Sequence, residues 1–222
     1  MDSFRHLSAR FIAFEGIDGS GKSTLLRELA AWLGEESIPF IQTREPGGTR
    51  LGERLREVLL DPSFASMNHQ AEVLLYSASR AQLVHEIILP ALDRGMWVLA
   101  DRYTDATLAY QGFGRGLEQK SLERIQLWAT GGLQPDLTVL LDCDVTIASH
   151  RMSNRKERED RIEQEARDFH QRVREGYLEL ARSAPERFLV VDGSRALDEV
   201  RAAFRKGFSV ALNAFPSGRP SS

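Results

Sequence analysis

Residues Gly16 to Ser23, reading Gly-Ile-Asp-Gly-Ser-Gly-Lys-Ser, fit the pattern G-x-x-x-x-G-K-[ST], and they sit between the apolar run Phe11 to Phe14 and a series of leucines at helical spacing. In such a loop Gly16, Gly19 and Gly21 can adopt backbone angles closed to other residues, turning N–H groups inward into an anion-binding nest. The helix N-terminus behind the loop adds its positive dipole end. Strand, loop and helix together make a phosphate-binding loop, so the chain is expected to bind a nucleoside triphosphate through Gly16, Ile17, Asp18, Gly19, Ser20, Gly21, Lys22, Ser23 and Thr24. Lys22 would reach the outer phosphates, and Ser23 would offer its hydroxyl to a magnesium ion.

The rest of the chain repeats the same alternation. Short apolar runs at Phe11 to Phe14, Phe40 to Thr43, Trp97 to Ala100, Leu137 to Leu141 and Phe188 to Val191 are separated by longer segments of helical periodicity. This predicts a five-stranded parallel sheet with helices on both faces, an α/β fold of three layers. Leu25, Leu29 and Leu33 form one apolar stripe after the loop, ended by Gly34 and Pro39. Further helices are expected over about 68–92, 118–129, 160–181 and 197–212. Neither an internal repeat nor a linker interrupts the 222 residues, which read as one domain. The tail from Phe215, small, polar and proline-bearing, is expected to fray.

Composition narrows the class of partner. A net charge of -3 argues against general nucleic-acid coating, which calls for a basic excess. The start, Met-Asp-Ser-Phe-Arg-His-Leu-Ser, lacks the apolar core of a signal peptide, and no run approaches the ~20 apolar residues of a membrane span. The single cysteine, Cys143, cannot form an internal disulfide. A cytoplasmic setting follows as the expectation. Cys143 lies in an apolar run and reads as a small buried thiol without a chemical role.

In open parallel sheets ligands collect beyond the carboxyl ends of the strands. Four of the five runs end there in polar residues, leading into the phosphate loop, Arg44-Glu-Pro-Gly-Gly-Thr49, Asp101-Arg-Tyr103 and Asp192-Gly193. Asp101, closing its strand, stands where a phosphate-loop enzyme keeps an acid facing magnesium, directly or through water. The planar fork of Arg102 suits bidentate grip of a phosphate. Tyr76 and Arg80, four apart on a helix, can project into one pocket. Each has a plainer reading as well, a structural ion pair in the first case and an amphipathic helix face in the second.

Taken in order, Thr43-Arg-Glu-Pro-Gly-Gly-Thr49, Asp101-Arg-Tyr103, Ala109-Tyr-Gln-Gly112 and Asp160-Arg-Ile-Glu-Gln-Glu165 on a phosphate-loop chain resemble the thymidylate kinase family in its bacterial form, from Phe11 to about Val200. The resemblance implies the nucleoside monophosphate kinase version of the phosphate-loop fold, a small mobile lid over about 150–162, ATP with Mg²⁺, dTMP as acceptor, and a homodimer. It implies that Arg102 holds the acceptor phosphate with help from Arg44, and that Tyr76 stacks on thymine while Arg80 donates to a base carbonyl. The family commonly has phenylalanine at the position of Tyr76, so the hydroxyl here needs a partner. Thr107 and Gln111 fall near the base, and Tyr110 falls against the sugar, where it would disfavour a ribose 2'-hydroxyl.

The bacterial form carries its catalytic arginine in the lid rather than in the phosphate loop, and Lys22 is the only cation of the loop here. Of Arg151, Arg155 and Arg158, which share a face if helical, Arg155 is the first candidate and Arg151 the second; the same charges also suit a solvated, ion-paired helix. The family glycine after that arginine is replaced by Lys-Glu-Arg-Glu159. Asp18 matches an acid close to the transferred phosphate, where it orients magnesium or water. Adenine contacts are expected around Arg151 and residues 192–196. Two other functions stay open: a deoxynucleoside kinase, in which Asp18 or Asp101 would deprotonate a sugar hydroxyl, and a slow nucleotide switch, although the guanine-reading pattern N-K-x-D is absent.

Overall fold

The computed structural model describes residues 9–153 and 159–214. Five parallel strands form one sheet in the order β2-β3-β1-β4-β5, with β1 at Phe11–Glu15, β2 at Phe40–Arg44, β3 at Trp97–Asp101, β4 at Leu137–Asp142 and β5 at Phe188–Asp192. Each strand is the expected apolar run extended by one polar residue at its carboxyl end. Glu15, Arg44, Asp101, Asp142 and Asp192 therefore share one rim, where Arg44 is in register with Asp101 and Asp142 with Asp192. β1 runs through the middle, and all five of its residues are buried, as a strand covered on both faces requires.

Period-two alternation assigns the two faces. Ile12 and Phe14 point to a layer made by α1 (Lys22–Glu35) and α9 (Leu197–Ala214), where Leu25, Leu29 and Leu33 meet Val200, Phe204 and Phe208. Phe11 and Ala13 point the other way, toward α3 (His69–Leu83) and α4 (Leu89–Asp93). Farther along that second layer α7 (Val145–Ser153) and α8 (Arg167–Ser183) pack Phe169, Val173 and Tyr177 against Leu140 and Tyr110. The remaining α-helices among the described residues are α2 (Arg50–Leu60), α5 (Thr104–Thr107) and α6 (Gln119–Thr130), with a 3₁₀ turn at Pro62–Phe64 and a π-helical segment at Leu108–Gly114 that carries Tyr110 and Gln111. The expected three-layer architecture is the one observed.

The helical path expected over 68–92 exists, but it widens into a π turn at Val84–Ile88 before α4. Pro90 in the first turn of α4 has no N–H to donate to the preceding turn, which accounts for a local change of pitch there. Residues 160–166 are turn rather than the start of a helix, a correction to the expected span of 160–181. The Asp160 carboxylate accepts the backbone N–H groups of Ile162 and Glu163, each at 2.9 Å, and so closes its own turn in competition with a helix. The expected lid is described only at its two stems, with α7 ending at Ser153 and the chain resuming at Glu159. Arg155 and Arg158 lie outside the described residues.

Candidate active site

The loop between β1 and α1 has the backbone its glycines foretold, with φ of 134° at Gly16, 78° at Gly19 and 105° at Gly21. A Cβ on Gly16 would lie 2.5 Å from the Leu141 carbonyl oxygen, and one on Gly19 2.3 Å from that of Ala148. Lys22 is 6 % exposed, donates from Nζ to the Ile17 carbonyl at 3.0 Å and lies 3.6 Å from the Asp18 carboxylate. Burial and then the neighbouring Arg102 pull its pKa down, while Asp18, Asp101 and Glu15 push it back up. The Ser23 hydroxyl donates to Asp101 Oδ2 at 3.1 Å. The two expected metal-facing oxygens are thus adjacent, in a cleft that Gly19, Gly21, Lys22 and Thr24 also line.

No group of three or more His, Cys, Asp or Glu able to hold a metal occurs among the described residues. The pair Ser23 and Asp101 fits a hard cation that arrives with phosphate oxygens and keeps several waters, the habit of Mg²⁺, rather than one caged by the protein.

Arg102 follows Asp101 with φ of 74°, in the left-handed region that a residue with a Cβ rarely enters. Its guanidinium donates to Asp18 at 2.7 Å, the Tyr110 hydroxyl at 3.0 Å, and the Gly16 carbonyl and Tyr177 hydroxyl at 3.1 Å each. It lies 4.8 Å above the Tyr110 ring centroid. Burial alone would raise the Asp18 pKa, but Arg102, Lys22 and the hydrogen bonds they anchor outweigh it and hold this carboxyl well below the usual range.

Behind Arg102 lies Glu15, fully buried, accepting the Tyr103 N–H at 2.7 Å and the Tyr177 hydroxyl at 2.6 Å. Burial pushes its pKa up to about 7, opposed by Arg102 and reinforced by Asp105. The folded state therefore holds this proton more tightly than the unfolded chain does. Stability through this group is intact below pH ~4.5 and falls as pH rises toward 7, by about 3 kcal/mol over the window. Glu15→Gln is expected to remove that slope. In thermal melts of both proteins from pH 5 to 8 the wild-type Tm should fall relative to that of the variant as pH rises, and parallel curves would refute the assignment.

On the far side of Arg102 a second pocket is lined by Pro46, Leu60, Tyr76, Arg80, Thr107, Tyr110, Gln111 and Ile162. Tyr76 and Arg80 do share it, together with Thr107 and Gln111. Arg80, however, is 1 % exposed, and its guanidinium donates to four protein oxygens, Glu45 Oε2, Thr107 Oγ1, Gln126 Oε1 and the Tyr103 carbonyl. A guanidinium so buried has to be neutralised and saturated, and Glu45 with Gln126 does this. A donor that the pocket offers is then the Thr107 hydroxyl, whose oxygen accepts from Arg80 and whose proton has no partner among the described residues. The Tyr76 hydroxyl likewise has none there, and burial followed by Glu72 keeps it a neutral phenol.

Arg44 stands at the rim as expected, half exposed and paired with Glu53 at 2.9 Å. Arg151 donates to the Gly193 carbonyl at 2.8 Å and lies 3.4 Å from that of Gly19, tying α7 to the phosphate loop beside Leu197 and Val200. Arg56, absent from the sequence-based set, lines both clefts and donates to the Pro46 carbonyl at 2.9 Å. Its signal was the Leu51, Leu55, Leu59 spacing of α2, an element that the motif around Thr49 concealed. The Glu15 and Tyr177 pair left no sequence signal, since 162 positions separate the two.

A family model described as thymidylate kinase matches residues 14–204. The chain is 48% identical over 212 residues to a thymidylate kinase of Pelotomaculum thermopropionicum, covering 96% of this chain and 98% of the relative. It is 50% identical over 207 residues to one of Carboxydothermus hydrogenoformans, covering 93% and 100%, and 48% identical over 200 residues to one of Neisseria gonorrhoeae, covering 90% and 96%. A phosphate loop, an arginine held between two clefts and end-to-end likeness to these proteins lead to one conclusion: this chain belongs to the thymidylate kinase family.

Proposed function

We infer that the protein transfers the terminal phosphoryl group of ATP to dTMP, giving ADP and dTDP, a step toward dTTP for DNA synthesis. The observation that carries this reading is the place of Arg102, which borders both the phosphate-loop cleft and the pocket of Tyr76 and Gln111. A phosphate held there belongs to the acceptor and faces the triphosphate. The second pKa of a phosphomonoester is ~6, so at neutral pH its oxygen is already an anionic nucleophile. That oxygen forms the new bond to the γ-phosphorus as the bond to the β,γ-bridging oxygen breaks and ADP leaves.

No strong base is required, and the site does not supply one in Asp18, whose carboxyl is held well below the usual range by Arg102 and Lys22. This favours a phosphate acceptor over a sugar hydroxyl. The work left to the chain is alignment and neutralisation of two polyanions, by the loop amides, Lys22 and Arg102, with Arg44 and Arg56 at the rim. Ser23 and Asp101 would hold Mg²⁺, which when bound would supply neutralisation of phosphate charge. Tyr76 would stack on the base and Tyr110 would lie against the deoxyribose. Adenine would sit by Arg151, Arg195 and Leu197, and Arg155 is the proposed lid arginine.

We place the protein in the cytoplasm, and no helix among the described residues is long and apolar enough to cross a membrane. Homodimer formation is supported by Leu74 on α3 and Leu127 and Trp128 on α6, which are 59%, 60% and 87% exposed.

An assay of ADP release with ATP, Mg²⁺ and a panel of acceptors tests the reaction. Strong selectivity for dTMP is expected among the nucleoside monophosphates. A response to thymidine alone would move the chemistry to a hydroxyl acceptor and overturn the reading.

A further inference from the structure

Glu72 lies in the first turn of α3 and is 0 % exposed, yet it touches neither the phosphate cleft nor the residues assigned above to catalysis. It lies behind the base pocket. Its Oε1 accepts the Gln111 side-chain amide at 2.8 Å, and its Oε2 lies 2.6 Å from Arg161 and 3.3 Å from Arg115. Burial alone would raise its pKa, but the Gln111 hydrogen bond and the two arginines more than reverse this, so it stands as a carboxylate.

A carboxylate can only accept hydrogen bonds, whereas a glutamine amide has one accepting and one donating end. Glu72 therefore forces the Gln111 amide to turn its –NH₂ inward. The carbonyl end, Oε1, accepts no hydrogen bond from any described residue, and Gln111 lines the pocket. One turn earlier the Thr107 hydroxyl accepts from Arg80, and its proton, without a partner among the described residues, is available to donate. The pocket wall thus carries an oriented acceptor beside an available hydroxyl donor. Thymine presents an N3–H flanked by two carbonyls, which match that pair. Cytosine presents a bare N3 lone pair, which would meet the Gln111 oxygen head on.

We propose that Glu72 is a positioning residue for base selection: by fixing the Gln111 amide it makes the pocket read the N3–H of the pyrimidine, and so reject dCMP. The inference rests on the assignment of this pocket to the base of dTMP. Uracil carries the same N3–H, so the discrimination concerns cytosine alone. Loss of the anchor lets the amide rotate and offer its –NH₂ to the cytosine N3.

The test compares kcat/KM for dTMP, dUMP and dCMP in the wild type, Glu72→Gln, Glu72→Asp and Gln111→Leu. Ratios within one variant cancel any difference in the fraction folded, and Glu72→Asp keeps a charge for Arg115 and Arg161 while withdrawing from Gln111 by one methylene. Both Glu72 variants are expected to lower the dTMP to dCMP ratio roughly ten-fold or more, the scale of one buried hydrogen bond made or opposed. Their dTMP to dUMP ratio should stay as in the wild type. If Gln111→Leu lowers the dTMP to dCMP ratio while neither Glu72 variant does, Glu72 does not orient the amide and the proposal fails. If Gln111→Leu leaves that ratio unchanged, the pocket is not where the base is read, and the underlying assignment falls with it.

Discussion

Arg102→Ala is expected to lower kcat/KM for dTMP at least ~10²-fold, the scale of losing one preorganised charge-stabilising group. Alanine keeps a Cβ and so bears the same left-handed backbone at this position, where φ is 74°. The variant therefore reports on the guanidinium rather than on relief of strain. Four protein oxygens hold that guanidinium, and two of them belong to Asp18 and Tyr110, which depend on it in turn. Loss should appear both as a higher KM for dTMP and as a lower kcat, because in the proposed reaction the same group grips the acceptor and offsets charge during transfer. Arg102→Lys should recover little, since an ammonium cannot reproduce a planar fork joined to several oxygens. Steady-state kinetics on a folded variant decide the matter, and near-normal turnover would remove Arg102 from the mechanism.

Lys22→Ala should cost a similar ~10²-fold or more, but with a different signature. Lys22 lines the phosphate-loop cleft and is absent from the lining of the base pocket. Its loss should therefore fall on kcat and leave the KM for dTMP nearly unchanged. Nζ already sits in the loop, bonded to the Ile17 carbonyl and 3.6 Å from Asp18, so little reorganisation separates the resting position from one facing the outer phosphates. Its pKa is pulled down by burial and by Arg102, and an arriving triphosphate would reverse that pull by adding negative charge beside it. Saturating both substrates and measuring turnover gives the result. A folded variant at wild-type rate would show that the loop amides suffice.

The parts of this site that could be read in advance are those in which one short segment contains its own physics. The phosphate loop is of this kind, because strand, glycines and helix lie within a single stretch from Phe11 to Leu33. The strands were also legible, since a strand buried on both faces is apolar throughout. The turn at Asp160 misled for the opposite reason: residues 160–166 carry helical composition, and only the carboxylate bonding back to Ile162 and Glu163 shows that the helix begins later. Arg80 and Tyr76 line one pocket, as their spacing predicts, but the partners of Arg80 there are Glu45 and Gln126, which lie 35 and 46 positions away.

What the chain determined by itself is the layered parallel sheet, the polar rim at the carboxyl ends of its strands, and the backbone of the phosphate loop. These follow from local spacing and from the burial each segment demands. What only the tertiary structure decided is how polar groups are oriented once packed: Arg102 braced by Tyr177 and Glu15, Thr107 turned by Arg80, and Gln111 turned by Glu72. The physical reason is that a buried donor or acceptor must find its partner wherever folding brings one, and the direction left over for a substrate is set by that distant pairing.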